Sequence, residues 1–189
     1  SLAVSALRAL VVTTHLIPAQ LAVWEAASQQ VDVQLAGTLS SGETGGRRSP
    51  ATVPTFAETH VFAPRDLTRR GPVWWTYPGL EALIRRLQPD LVHVHSEPWA
   101  LLSRQALRAR RPTVLHGADN MFDHGGRLEA RARLVMARAN LRRAAGYASW
   151  NQRGLDLARA HGLPSSSPPF CVHAVPMATF WGSSTPAAQ

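Results

Sequence analysis

Histidine is the side chain whose charge changes nearest neutral pH, and this chain places two of its eight histidines two positions apart, at His93 and His95. The segment LVHVH reads as a strand, and its period of two puts both imidazoles on one face. A third, His116, ends the apolar run TVLH and is followed by Gly117, Ala118, Asp119 and Asn120. Glycine after a strand-terminal histidine lets a ligand approach the backbone, and the Asp/Asn pair can cap the next element or hydrogen-bond a polyol. Metal ligation is the competing chemistry, with His116, Asp119, Asp123 and His124 as further ligands. It loses its support because Ser96 stands where an acidic partner is expected after the histidine pair, and a metallohydrolase barrel does not fit this length. No metal is therefore expected. His93 lies deeper in its strand and reads as a hydrogen-bonded core residue, whereas His95 should meet ligand. Glu97 opens the next helix, either as a charge that favours the helix dipole or as an acceptor for substrate hydroxyls.

These groups need strands to carry them. LVVTT at Leu10–Thr14 reads as the first strand, Pro18–Gln30 as a helix, and VDVQLAGTL at Val31–Leu39 as the second strand. Ser40–Pro72 is a Gly-, Ser-, Thr- and Pro-rich excursion with a weak strand at His60–Ala63. Leu80, Leu83, Ile84 and Leu87 form a helical stripe that Pro89 closes, and Leu91–His95 follows as a strand. Ser96 is the expected N-cap of the next helix, with Pro98 just inside it and Leu101, Leu102 and Ala106 toward the sheet. Thr113–His116, an Arg-rich helix from about Arg127 to Ala145, Tyr147–Trp150, a helix over Gln152–His161 and a strand at Phe170–Val175 complete the series. Such alternation implies an α/β fold, a Rossmann-like three-layer sandwich on a mostly parallel sheet of about seven strands. Ligands of open parallel sheets bind beyond the carboxyl ends of the strands, which puts His95 and His116 at the site. Residues 1–177 read as one domain and 178–189 as a flexible tail or the start of a linker.

Composition bounds the function. The 189 residues, 45% hydrophobic and 17% charged, suit one globular domain. Cys171 is the sole cysteine and sits in the apolar run PPFCVHAVP, which fits a reducing cytoplasm. No run of about 18 apolar residues is present and SLAVSALRALVV lacks the layout of a signal peptide, so the expected location is cytoplasmic, with at most peripheral contact on the inner face of the membrane. All 20 basic residues are arginine, so neither a Schiff-base lysine nor a P-loop lysine exists. Arg127, Arg131, Arg138 and Arg142 fall within about 60° of one helix face. Flanking leucines and alanines make that face suited to anionic lipid or polyphosphate, against the alternative of a solvated surface. Nucleic acid is not an expected partner, because the aromatic residues do not interleave with the arginines as a stacking platform would. GxGxxG after the first strand, GxxxxGK(S/T) and GxSxG are all missing, which removes the main support for dehydrogenase, P-loop and α/β-hydrolase readings.

PDLVHVHSEPWALL, PTVLHGADN, YASWNQRGLDLARAHGL and VHAVPM, in this order and spacing, resemble the N-terminal half of family 4 retaining glycosyltransferases of the GT-B fold. The likeness runs from about Leu10 to Phe180 and is closest from Pro89 onward. It implies a single GT-B half, the acceptor-binding one, in an enzyme that moves a sugar from a nucleotide-sugar to a sugar or lipid-linked sugar acceptor. It implies His116 as the active-site histidine, and His95, Glu97, Asp119, Asn120 and Asn151 as substrate-binding residues. No cofactor is implied; the nucleotide-sugar is a co-substrate. The loop THLIPAQ lacks the glycines that many members carry after the first strand, so phosphate cradling from this side is not expected. The paired glutamates and basic residues of the donor half have no counterpart, so the expectation is a chain inactive alone, completed by a separate donor-binding chain if at all. A non-catalytic Rossmann-like module binding anionic lipid or polyphosphate through the Arg-rich helix is the alternative.

Overall fold

The structure, a computed structural model, describes residues 7–16, 18–39, 43–44, 47–48, 53–69, 71–117 and 127–171. Seven strands form one sheet: β1 (Arg8–Thr13), β2 (Asp32–Gly37), β3 (Glu58–Val61), β4 (Leu91–His95), β5 (Thr113–Gly117), β6 (Gly146–Ser149) and β7 (Pro169–Cys171). Their order is β7-β6-β5-β4-β1-β2-β3, and every neighbouring pair is parallel. The expected Rossmann-like α/β sandwich is present, and the strand order reverses between β1 and β4. The helices are α1 (Pro18–Ser28), α2 (Leu80–Leu87), α3 (Leu101–Arg108), α4 (Arg127–Leu141) and α5 (Gln152–Ala160).

Alternation along the strands separates two apolar layers. Leu10, Val12, Val92, Val94, Leu115 and Tyr147 face the helices α2 to α5, which contribute Leu80, Ile84, Leu102, Ala106, Leu141 and Leu155. Val11, Val33 and Leu35 face the other way, against Leu21 and Trp24 of α1. The end of β1 is held by a clamp: the Tyr77 hydroxyl donates to the carbonyls of Thr13 at 2.8 Å and Thr14 at 3.1 Å. Gln105 of α3 in turn grips the Tyr77 backbone, accepting from its N–H and donating to its carbonyl.

Two boundaries differ from the sequence expectation, each because a tertiary contact outweighs a local signal. The helix after β4 starts at Leu101, not at Ser96, and Pro98 and Trp99 sit in a turn closed by the Ala100 amide on the Glu97 carbonyl. Trp99 is 1% exposed, and Asn140 of α4 donates to the Pro98 carbonyl at 2.8 Å, so burial and a long-range bond replace the expected cap. The strand expected at His60–Ala63 runs over Glu58–Val61, where it pairs with β2. The excursion before α2 contains the antiparallel pair Arg65–Asp66 with Trp75–Thr76, organised by the Asp66 carboxylate. That carboxylate accepts from the amides of Thr68, Arg69 and Gly71 and from Trp75 Nε1, and these bonds hold its pKa below the usual range. The expected 178–189 tail and most of Phe170–Val175 lie outside the described residues.

Candidate functional site

The register sets the site. Thr13 of β1 pairs with His95 of β4, His95 with His116 of β5, and His116 with Ala148 of β6. This row crosses the carboxyl ends of the strands beside the point where strand order reverses, the place where open α/β sheets take ligands. His93, two residues before His95, lies on the same face, and its Nε2 is 3.2 Å from Nδ1 of His116. The ring of Trp24 meets His93 edge-on at 4.6 Å between centroids. The rings of His95 and His116 stack at 4.5 Å with 29° between their planes. Trp150, just past β6, brings its indole 5.0 Å from His116 and 6.1 Å from His95.

Two features make this cluster more than packing. Nε2 of His116 and Nδ1 of His95 are buried and have no hydrogen-bond partner among the described residues. Buried polar atoms are nearly always paired, so two orphans side by side call for an external partner. The cluster is also uncharged. Burial lowers the pKa of His93 to about 3, with the neighbouring His95 adding to the shift, and burial alone lowers His95 to about 4. His116 falls to about 2, through burial first and then repulsion from His95 and His93. At neutral pH the rim presents imidazoles, not imidazoliums. Neutral rings next to an aromatic face suit a hydroxyl-bearing ligand better than an anion.

The other sequence-selected residues fall in different places. Glu97 lies in the turn after β4, with Oε2 3.2 Å from where a Cβ on Gly117 would stand. That Cβ would also lie 2.9 Å from Pro98 Cδ and 2.9 Å from the Tyr147 hydroxyl. Gly117 is thus required by protein packing, correcting the expectation that it opens a path for ligand. Since His116 and Gly117 point to opposite faces, Glu97 sits across the sheet edge from the imidazoles. Asn151 caps α5, its Oδ1 accepting from the Gly154 amide at 3.0 Å, so the Nδ2 hydrogens are what it offers to a ligand. Asp119 and Asn120 lie outside the described residues, as do Asp123 and His124.

On α4, Arg131, Arg138 and Arg142 are exposed, and the Arg127 side chain lies outside the described set. Arg133, which is not in the stripe, turns inward: it pairs with Glu129 and places its guanidinium 4.3 Å from the centroid of Trp99. Among the described residues no group of three or more His, Cys, Asp or Glu is arranged to hold a metal ion. His93 and His116 face each other at hydrogen-bond distance, which leaves no room for an ion between them. No helix among the described residues is long and apolar enough to cross a membrane.

Trp24, Trp150 and the bond between His93 and His116 were not singled out from the sequence. Trp150 shares parity with Ala148, which pairs with His116; this was the available signal, and it required the register of a third strand.

Comparison with known proteins bears on the family and the fold. The sequence pattern described as Glycosyltransferase Family 4 matches residues 22–166. No curated protein matches the chain. Among solved structures, HepE of Anabaena in complex with UDP superposes with a TM-score of 0.54 at 17% identity, covering 88% of this chain and 44% of that one. The same protein in complex with UDP and glucose gives the same values. UDP-N-acetylglucosamine 2-epimerase from Rickettsia bellii gives 0.55 at 14% identity, with 88% and 44% covered. The chain spans less than half the length of these structures, and at such identities the likeness shows the fold: one Rossmann-like half of the GT-B kind.

Proposed function

Given that the chain belongs to Glycosyltransferase Family 4, we propose that it forms the acceptor-side wall of a retaining sugar transferase, which moves a sugar from a nucleotide-sugar to a sugar or lipid-linked acceptor. The observation that carries this reading is the pair of orphaned imidazole nitrogens, His116 Nε2 and His95 Nδ1, at the strand tips. HepE, of the same fold, is described with UDP and glucose bound. In this role His116 hydrogen-bonds the sugar as charge builds at the anomeric carbon, and His95 binds a neighbouring hydroxyl. Glu97, Asp119, Asn120 and Asn151 complete the acceptor side in this proposal.

Transfer needs donor and acceptor held in near-attack geometry between two walls, so the nucleotide must be gripped by a second surface, in the same polypeptide or in a separate chain. The 189-residue chain on its own is expected to show no turnover of UDP-glucose. In an enzyme that includes the second wall, His116→Ala is expected to lower kcat by about 10²- to 10³-fold, the range for loss of one such hydrogen bond. Transfer by the chain alone, or full activity of the variant, would count against the proposal.

One observation favours a membrane as the place of work. Beside its exposed arginines α4 exposes Leu128 (83%) and Val135 (66%), so apolar and cationic side chains share one face, as contact with anionic lipid requires. Co-sedimentation with phosphatidylglycerol vesicles is expected, with loss of most binding in the Arg131→Ala/Arg138→Ala variant. Equal binding to phosphatidylcholine vesicles would remove the role of the arginines, and binding to neither would remove the membrane from the proposal.

A further inference from the structure

The structure assigns His93 a role as a positioning residue: it fixes the tautomer of His116, so that Nε2 of His116 meets its ligand as a lone pair and accepts a hydrogen bond from a hydroxyl. The assignment stands on the imidazole geometry, and only its last step, the hydroxyl, rests on the sugar-binding reading above.

Two proton arrangements fit the 3.2 Å contact between His93 Nε2 and His116 Nδ1. In one, His93 donates from Nε2, and the hydrogen of His116 then sits on Nε2, buried with no acceptor among the described residues. In the other, His116 donates from Nδ1, its Nε2 carries a lone pair, and the hydrogen of His93 moves to Nδ1, an atom that is not among the buried and unpaired ones. An orphaned buried N–H is the rarer and more costly defect, since an unpaired lone pair forfeits less than an unpaired donor. The second arrangement is therefore the stable one.

Both rings must be neutral for this donor and acceptor pair to exist, and burial keeps them so at ordinary pH. Ring orientation is fixed from both sides, by the edge of Trp24 on His93 and by the stacked His95 on His116. The ligand class comes from the lone pair. It attracts a hydroxyl hydrogen and repels the oxygens of an anion that carries no hydrogen, so the subsite takes a neutral polyol.

The test is long-range nitrogen–proton correlation NMR of the histidines in the full 189-residue chain. The expected pattern for His116 is a protonated Nδ1 and an unprotonated Nε2; a protonated Nε2 in the unmodified protein overturns the assignment without any variant. His93→Phe keeps an aromatic ring and removes the acceptor, and is expected to shift His116 toward the Nε2-protonated form. His93→Gln, whose carboxamide oxygen still accepts, should restore the original pattern. An unchanged His116 in His93→Phe also overturns the assignment. Glucose should then move the His116 Nε2 resonance and sulfate, which carries no hydrogen at neutral pH, should not; a response to sulfate contradicts the lone pair. If the tautomer is as stated and glucose leaves Nε2 unmoved, the sugar reading fails and the role of His93 stands.

Discussion

Taking the domain from pH 7 to about 5.5 is expected to remove about 4 kcal/mol of stability, a large share of the roughly 5–15 kcal/mol that holds a domain folded. The cause is the neutral histidine cluster. In the unfolded chain each imidazole titrates near its ordinary value of about 6.5, while in the fold His93, His95 and His116 stay neutral down to about 3, 4 and 2. Between those limits the unfolded state binds more protons than the native one, so stability falls as pH falls. Each group contributes about 1.4 kcal/mol by one pH unit below 6.5. The full stability is present above 6.5, and the loss continues down to the folded values. Burial lowers His15 and His161 as well, which acts in the same direction. The lowered carboxylate of Asp66 enters only below the usual carboxylate range and leaves this window clear. Urea midpoints measured at pH 7.5, 6.5 and 5.5 check the slope. His116→Gln should flatten it by about a third, and a midpoint that does not move across this range contradicts a neutral, buried cluster.

Trp99→Ala is expected to cost about 3–5 kcal/mol, the range for emptying a buried aromatic site. Trp99 is the largest fully buried side chain among the described residues, and three elements meet on it. Trp74 packs against it at 6.3 Å between centroids, Arg133 of α4 lies over its ring, and its own backbone belongs to the turn after β4. Removing the indole releases a contact of α4 with that turn, while the Asn140 bond to Pro98 still ties them. Trp99→Phe keeps a ring for the guanidinium and should lose much less. Chemical denaturation of the two variants at pH 7.5 decides it, and equal losses would show that the ring contacts are not what matters.

The sheet was legible because its causes are local. Apolar runs such as Leu10–Thr14 and Leu91–His95 alternate with helical stripes, and the period of two already put His93 and His95 on one face. That His95 and His116 would be neighbours came from their shared place at strand ends. What stayed hidden depends on partners far away in sequence. Ser96 and Pro98 carry local signals for a helix start, which lose to the burial of Trp99 and to a bond from Asn140, 42 residues on. Gly117 advertises open backbone, yet the space is taken by Pro98, Tyr147 and Glu97. Arg133 looks like one more surface arginine until Trp99 appears beneath it. The contact of Trp150 with His116 needs the register of a strand about 30 residues downstream, which no local period supplies.

The absence of charge along the histidine row has a kinetic side. Field lines from ionised groups gather partners across distances near the Debye length, and a row of neutral rings has no such reach. An uncharged sugar arriving at these strand tips gains nothing until it touches them, so its capture rate at this rim should be indifferent to ionic strength and governed by collision and fit.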